Sequence, residues 1–118
     1  AYIKLKKSKQ LIVNTDTIIE NVDFFARDDP ASIAHKIISI NLSDISAMGG
    51  LPYCYTLSLC LPKNIDLDWL KVFWKRLLHL QKYNFFLLGG DYELIIVSSK
   101  KYEKEIKKIA KLNNTKIS

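Results

Sequence analysis

The double glycine Gly49-Gly50 constrains this chain most, because it separates a helical stripe from a strand-like run. Upstream, Ile33, Ile37, Ile38, Asn41, Ile45 and Met48 recur at helical spacing and form one stripe. Downstream, Pro52 to Pro62 is strand-like, with Leu57, Leu59 and Leu61 on one face and Ser58 on the other. Gly49 is therefore placed as the C-terminal stop of a helix. Asp44 follows Ile37 by seven residues and returns to nearly the same face, and Asn41 is its helical neighbour. A carboxylate and an amide thus sit at the rim of an apolar face, where a lone aspartate is ordinarily solvated or hydrogen-bonded.

Taken in order, Ala1 to Ser8 reads as a short strand and Leu11 to Phe25 as a long one, rich in Ile, Val, Thr and Phe. Asn14, Thr15, Asp16 and Thr17 interrupt the second strand, at a bend, a bulge or a ligand contact. Arg27-Asp28-Asp29-Pro30 starts the helix that ends at Met48. Asp66 and Asp68 open an amphipathic helix of about four turns, from Trp69 to Leu80, in which Trp69 and Trp74 read as packing anchors. Phe85 to Leu88 and Tyr92 to Val97 are strand-like around Gly89-Gly90-Asp91, and Tyr102, Ile106, Ile109 and Ala110 mark a terminal helix. The order β-β-α-β-α-β-α predicts an α+β fold, with a mainly antiparallel or mixed sheet and helices on one face.

Apolar content of 48% and charged content of 25% in 118 residues suit one globular domain with a real core. No apolar run has the length of a membrane span and no signal peptide opens the sequence, so a cytoplasmic location is expected. Cys54 and Cys60, six apart in one strand, would lie roughly 20 Å apart, too far for a disulfide, and both read as core or half-buried hydrophobes. The net charge of +6 owes much to Lys100, Lys101, Lys104, Lys107, Lys108, Lys111 and Lys116. They share a helical pattern with Glu103 and Glu105 and read as a solvated face. No aromatic-basic stacking pattern accompanies them, which argues against nucleic acid as a partner. His35 lacks a nearby Cys, His or acidic partner in sequence and reads as a surface residue, or as one that supports a site from behind, and not as a catalyst.

Asp16, Asp44 and Asp91 each stand where an apolar element is broken by small residues. Carboxylates from separate elements suit Mg²⁺, which takes oxygen ligands, keeps waters and is completed by substrate phosphates. Small neighbours such as Thr15, Ser43, Gly89 and Gly90 would let a nucleotide approach the backbone. These residues also carry a resemblance. Thr15-Asp16 with Glu20-Asn21-Val22-Asp23-Phe24 is similar to a family string Thr-Thr-Asp…Glu-Gly-Val-His-Phe. Asn41 to Pro52 is similar to Asn-Leu-Ser-Asp-(Ile/Leu)-Ala-Ala-Met-Gly-Ala-x-Pro, and Leu57-Ser58-Leu59, Leu61-Pro62, Trp69-Leu70 and Leu88-Gly89-Gly90-Asp91 follow in the family's order. The chain resembles the bacterial thiamine-monophosphate kinases, members of the aminoimidazole ribonucleotide synthetase superfamily.

That resemblance implies the superfamily's N-terminal domain, ATP and Mg²⁺ as substrate and cofactor, and phosphorylation of thiamine monophosphate to thiamine diphosphate. It implies that Asp16, Asp44 and Asp91 bind metal, that Thr15, Asn41, Ser43, Gly89 and Gly90 lie at the nucleotide, and that the N-terminal strands form a homodimer. Asp23 stands for a family His, Ala34 for Gly and Tyr92 for Thr. The family also has a Gly-Asp-Asp-Ala motif upstream of Ala1 and a second domain. Gly89 to Ile96 is similar to a string of that second domain, Gly-Asp-Asp-Tyr-Glu-Leu-Leu, as an internal deletion joining the two would produce. The expectation is a single domain over residues 1–118, with 1–91 like the N-terminal domain and 92–118 derived from the second. By itself such a chain would have little or no kinase activity; the alternative is a non-catalytic dimeric remnant of the family.

Overall fold

Asp29 starts the first helix by offering its side chain to the free amides of the first turn. In the computed structural model, which describes residues 10–81, 86–87, 93–97, 104, 107–108 and 116–117, helix α1 covers Pro30–Ala47. The Asp29 carboxylate accepts from the Ser32 hydroxyl at 2.9 Å and the Ser32 backbone N–H at 3.0 Å. Pro30 fills the first helical turn, where an amide hydrogen is not required. The hydrogen bond from the Ser32 hydroxyl, chief among several causes, holds the Asp29 carboxyl below its ordinary pKa.

The double glycine ends α1 as a Schellman motif. Gly49 takes φ +71°, its N–H donates to the Ser46 carbonyl at 2.9 Å, and the Gly50 N–H donates to the Ile45 carbonyl at 2.9 Å. Met48, the cap residue, leaves the helical path and is exposed, so the apolar stripe stops short of it.

Helix α2 covers Leu67–Leu80, capped by Asp66, whose side chain accepts from the Asp68 N–H at 2.9 Å. Ile33, Ala34, Ile37 and Ile38 of α1 and Phe73, Trp74, Leu77 and Leu80 of α2 form the buried core cluster. These positions follow the spacing expected of amphipathic helices. The Trp69 and Phe73 rings stack at 5.1 Å, so both tryptophans serve packing, as expected.

The sheet differs from expectation in three ways. Pro52 to Pro62 is not one strand: it holds β1, Cys54–Tyr55, and β2, Ser58–Cys60. β1 pairs with β3, Phe86–Leu87; β2 pairs with β4, Glu93–Val97, which pairs with β5, Lys116–Ile117. All three pairings are parallel, with Cys54 opposite Phe86, Ser58 opposite Ile95 and Glu93 opposite Lys116. The mainly antiparallel sheet is thus corrected among the described residues. For the pairs β1–β3 and β2–β4 the cause is the connection: α2 lies between their strands, and a helical crossover returns the chain in the same direction.

The third difference is Leu11 to Phe25, which forms no sheet strand. It has no regular structure as far as Ile19 and then turns, with one isolated bridge from Glu20 to Phe24. Asn21 makes the turn at φ 64°, a region that Asn tolerates better than most residues. The Asn21 N–H donates to the Phe24 carbonyl at 2.7 Å, and the Ile19 N–H donates to the Asp23 carboxylate at 2.7 Å.

Tyr55, Leu57 and Leu59 pack against the helices, whereas Ser58 and Cys60 are exposed, so the helices cover one face of this run. Of the two free cysteines Cys54 is half-buried, its thiol pKa pushed up by burial, while Cys60 is exposed rather than buried. Its place in the alternation, out of step with Leu59, puts it on the outer face. The Ala1–Ser8 strand and the Gly89-Gly90-Asp91 interruption lie outside the described residues. Of the expected terminal helix, Lys104, Lys107 and Lys108 are helical and exposed. β5 has no counterpart in the sequence reading.

Two stability effects follow. Leu77 is 1% exposed, and Leu77→Ala is expected to cost about 2–5 kcal/mol in urea unfolding. Because the folded pKa of Asp29 lies below its unfolded value, its stabilisation is present above the unfolded value. It is lost as pH falls through the folded one. The stability gap between wild type and Asp29→Ala should therefore be open at neutral pH and should narrow in the acid range.

Candidate functional site

The site begins with a close approach that glycine permits. A Cβ on Gly50 would stand 3.0 Å from Ile12 Cδ1, 3.0 Å from Ile45 Cγ2 and 3.1 Å from the Ile45 carbonyl oxygen. Without that carbon, Ile12 lies against the end of α1. Ile18 and Phe24 pack on the helical core further along the same segment. In an extended chain Ile12, Asn14 and Asp16 share one side. Ile12 and Asn14 are half-buried, whereas Leu11 and Val13, on the opposite side, are 50% and 74% exposed.

Asn14 is consequently held over the last turns of α1. Its side-chain Nδ2 lies 3.1 Å from Asp16 Oδ2, 3.2 Å from Asn41 Oδ1 and 3.1 Å from Asp44 Oδ2. An amide has two hydrogens, so three acceptors share them. Asn41 is fixed from the other side, its own Nδ2 donating to the Ile37 carbonyl at 2.9 Å. This bond joins successive turns of α1 and is local to the helix.

Two of the three aspartates singled out in the sequence are thereby brought together. Asp16 and Asp44 are exposed, as are Thr15 and Ser43 beside them, while Asn41 is half-buried. Gly89, Gly90 and Asp91 lie outside the described residues, and among the described residues no three His, Cys, Asp or Glu side chains cluster as a metal site. Asn14 was not singled out as a site residue. The signal available for it was its position two residues before Asp16 in an extended run. His35 is exposed, in keeping with a surface role.

The electrostatics favour a cation. Asp44 stands in the last turn of α1, which contains no basic residue. Helix C-termini carry partial negative charge, so a carboxylate there adds to the potential instead of offsetting it. The donor that Asp16 and Asp44 share is neutral, so it leaves their charge in place. Oxygen ligands from two elements, both open to solvent, fit a hard divalent ion that keeps water in its shell.

Comparison with known proteins supplies the family. The family model of AIR synthase related protein, N-terminal domain, matches residues 1–108. The chain belongs to that family. Over 92 residues it is 41% identical to a thiamine-monophosphate kinase of Haemophilus influenzae, 42% to one of Buchnera aphidicola subsp. Schizaphis graminum and 38% to one of Escherichia coli K12. Each comparison covers 77% of this chain and 28% of the relative, so the chain spans little more than a quarter of the length of the curated relatives it matches. No solved structure matches. The Asn41–Pro52 string, which carries the resemblance to this family, includes both the Schellman end of α1 and two of the groups that meet Asn14.

Gly50→Ala tests the close approach. The added carbon is expected to displace Ile12 and with it Asn14, at a cost of about 1–3 kcal/mol. The side-chain amide resonances of Asn14 should shift towards those of a solvent-exposed asparagine.

Proposed function

We propose that these residues form part of the metal and nucleotide side of a thiamine-monophosphate kinase, which uses ATP and Mg²⁺ to convert thiamine monophosphate to thiamine diphosphate. The observation that carries this reading is the meeting of Asp16 and Asp44 at a single neutral amide. The names of the relatives supply the substrate. Asp16 and Asp44 would hold Mg²⁺ through carboxylate oxygens. Asp91 joins them by its place in the motif. Bound there, the ion would neutralise phosphate charge, which is most of what phosphoryl transfer asks of its surroundings. Thr15 and Ser43, both exposed beside the carboxylates, and the half-buried Asn41 would line the nucleotide; Gly89 and Gly90 join that set by motif.

The assembly we propose is a homodimer through residues 11–25 and 52–62. Leu11, Val13, Ile19, Val22, Phe25 and Tyr53 are each at least 50% exposed, a concentration of apolar surface that association would cover. No described helix is long and apolar enough to cross a membrane, and a cytoplasmic location is part of the same proposal. Residues 92–118 are proposed to derive from the family's second domain. A second reading, a dimeric family member without kinase activity, draws support from Asp23. Where the resemblance has His, this carboxylate closes its own turn by accepting from the Ile19 N–H.

Two measurements separate these readings. Mg²⁺-dependent ATP binding by the 118-residue chain, followed by calorimetry, is expected to weaken in Asp44→Asn. Little stability should be lost in that variant, because relief of like-charge repulsion offsets a lost hydrogen bond. Incubated alone with ATP, Mg²⁺ and thiamine monophosphate, the chain is expected to form thiamine diphosphate far more slowly than a typical kinase, about 1 per second or faster. Turnover at that rate would refute the expectation of a catalytically deficient chain, and absence of nucleotide binding would favour the second reading.

A further inference from the structure

We draw no further inference here: the strongest candidate, the exposed apolar surface of Leu11, Val13 and Leu51 beside the C-terminal end of α1, belongs to the homodimer already proposed, and nothing in the structure shows what else covers it.

Discussion

The seam between α1 and α2 carries the structure, because each helix presents a single apolar stripe and the other helix is what covers it. Ile33, Ala34, Ile37 and Ile38 meet the cluster of Phe73, Trp74, Leu77 and Leu80. Ala34 is fully buried at a position where the resemblance has glycine, and a small side chain suits a close-packed core in either case. Fixing α1 about its own axis decides what its remaining faces do. Asn41, Asp44 and Ile45 then lie under the segment from Ile12 to Asp16. The polar site is therefore a consequence of apolar packing: the same register that buries Ile37 and Ile38 places Asp44 at the rim.

The site itself runs against the usual economy of charge. A helix C-terminus ordinarily attracts lysine or arginine, yet the last turn of α1 holds Asp44 and no basic residue, although the whole chain is basic at +6. The basic residues are concentrated elsewhere, many of them in the lysine-rich stretch after residue 99. Contrast Asp66 and Asp68, which stand at the start of α2, where a carboxylate is favoured, and where Asp68 also pairs with Lys71 at 2.6 Å. Acidic residues at α2 serve the helix. Those at Asp16 and Asp44 oppose each other and the helix dipole, a local conflict of the kind that marks functional positions.

Much of the helical architecture was legible in the sequence because its signals are short-range. Asp29-Pro30 marks a start, Gly49 a stop, Asp66 a second start, and the intervening apolar residues repeat at helical spacing. Each is decided within one or two turns of chain. The strands were harder. Leu11 to Phe25 has the composition of a strand, but composition does not supply a pairing partner, and the Asn21 turn broke the run. Parallel pairing of β1 with β3 and β2 with β4 depends on where α2 returns the chain, which no local pattern encodes. β5 is too short to be distinguished from a loop by alternation.

The sequence by itself determined where α1 and α2 start and stop to within a turn, their apolar faces, the family and the identity of the candidate carboxylates, because all of these reside in residue type and local spacing. Only the tertiary structure decided that Asp16 and Asp44 meet, that Asn14 joins them, and that Leu11 and Val13 turn outward. Asn14 is thirty residues from Asp44 along the chain. A contact over that distance exists only once the core has fixed α1 and the missing Cβ of Gly50 has let the extended segment settle against it.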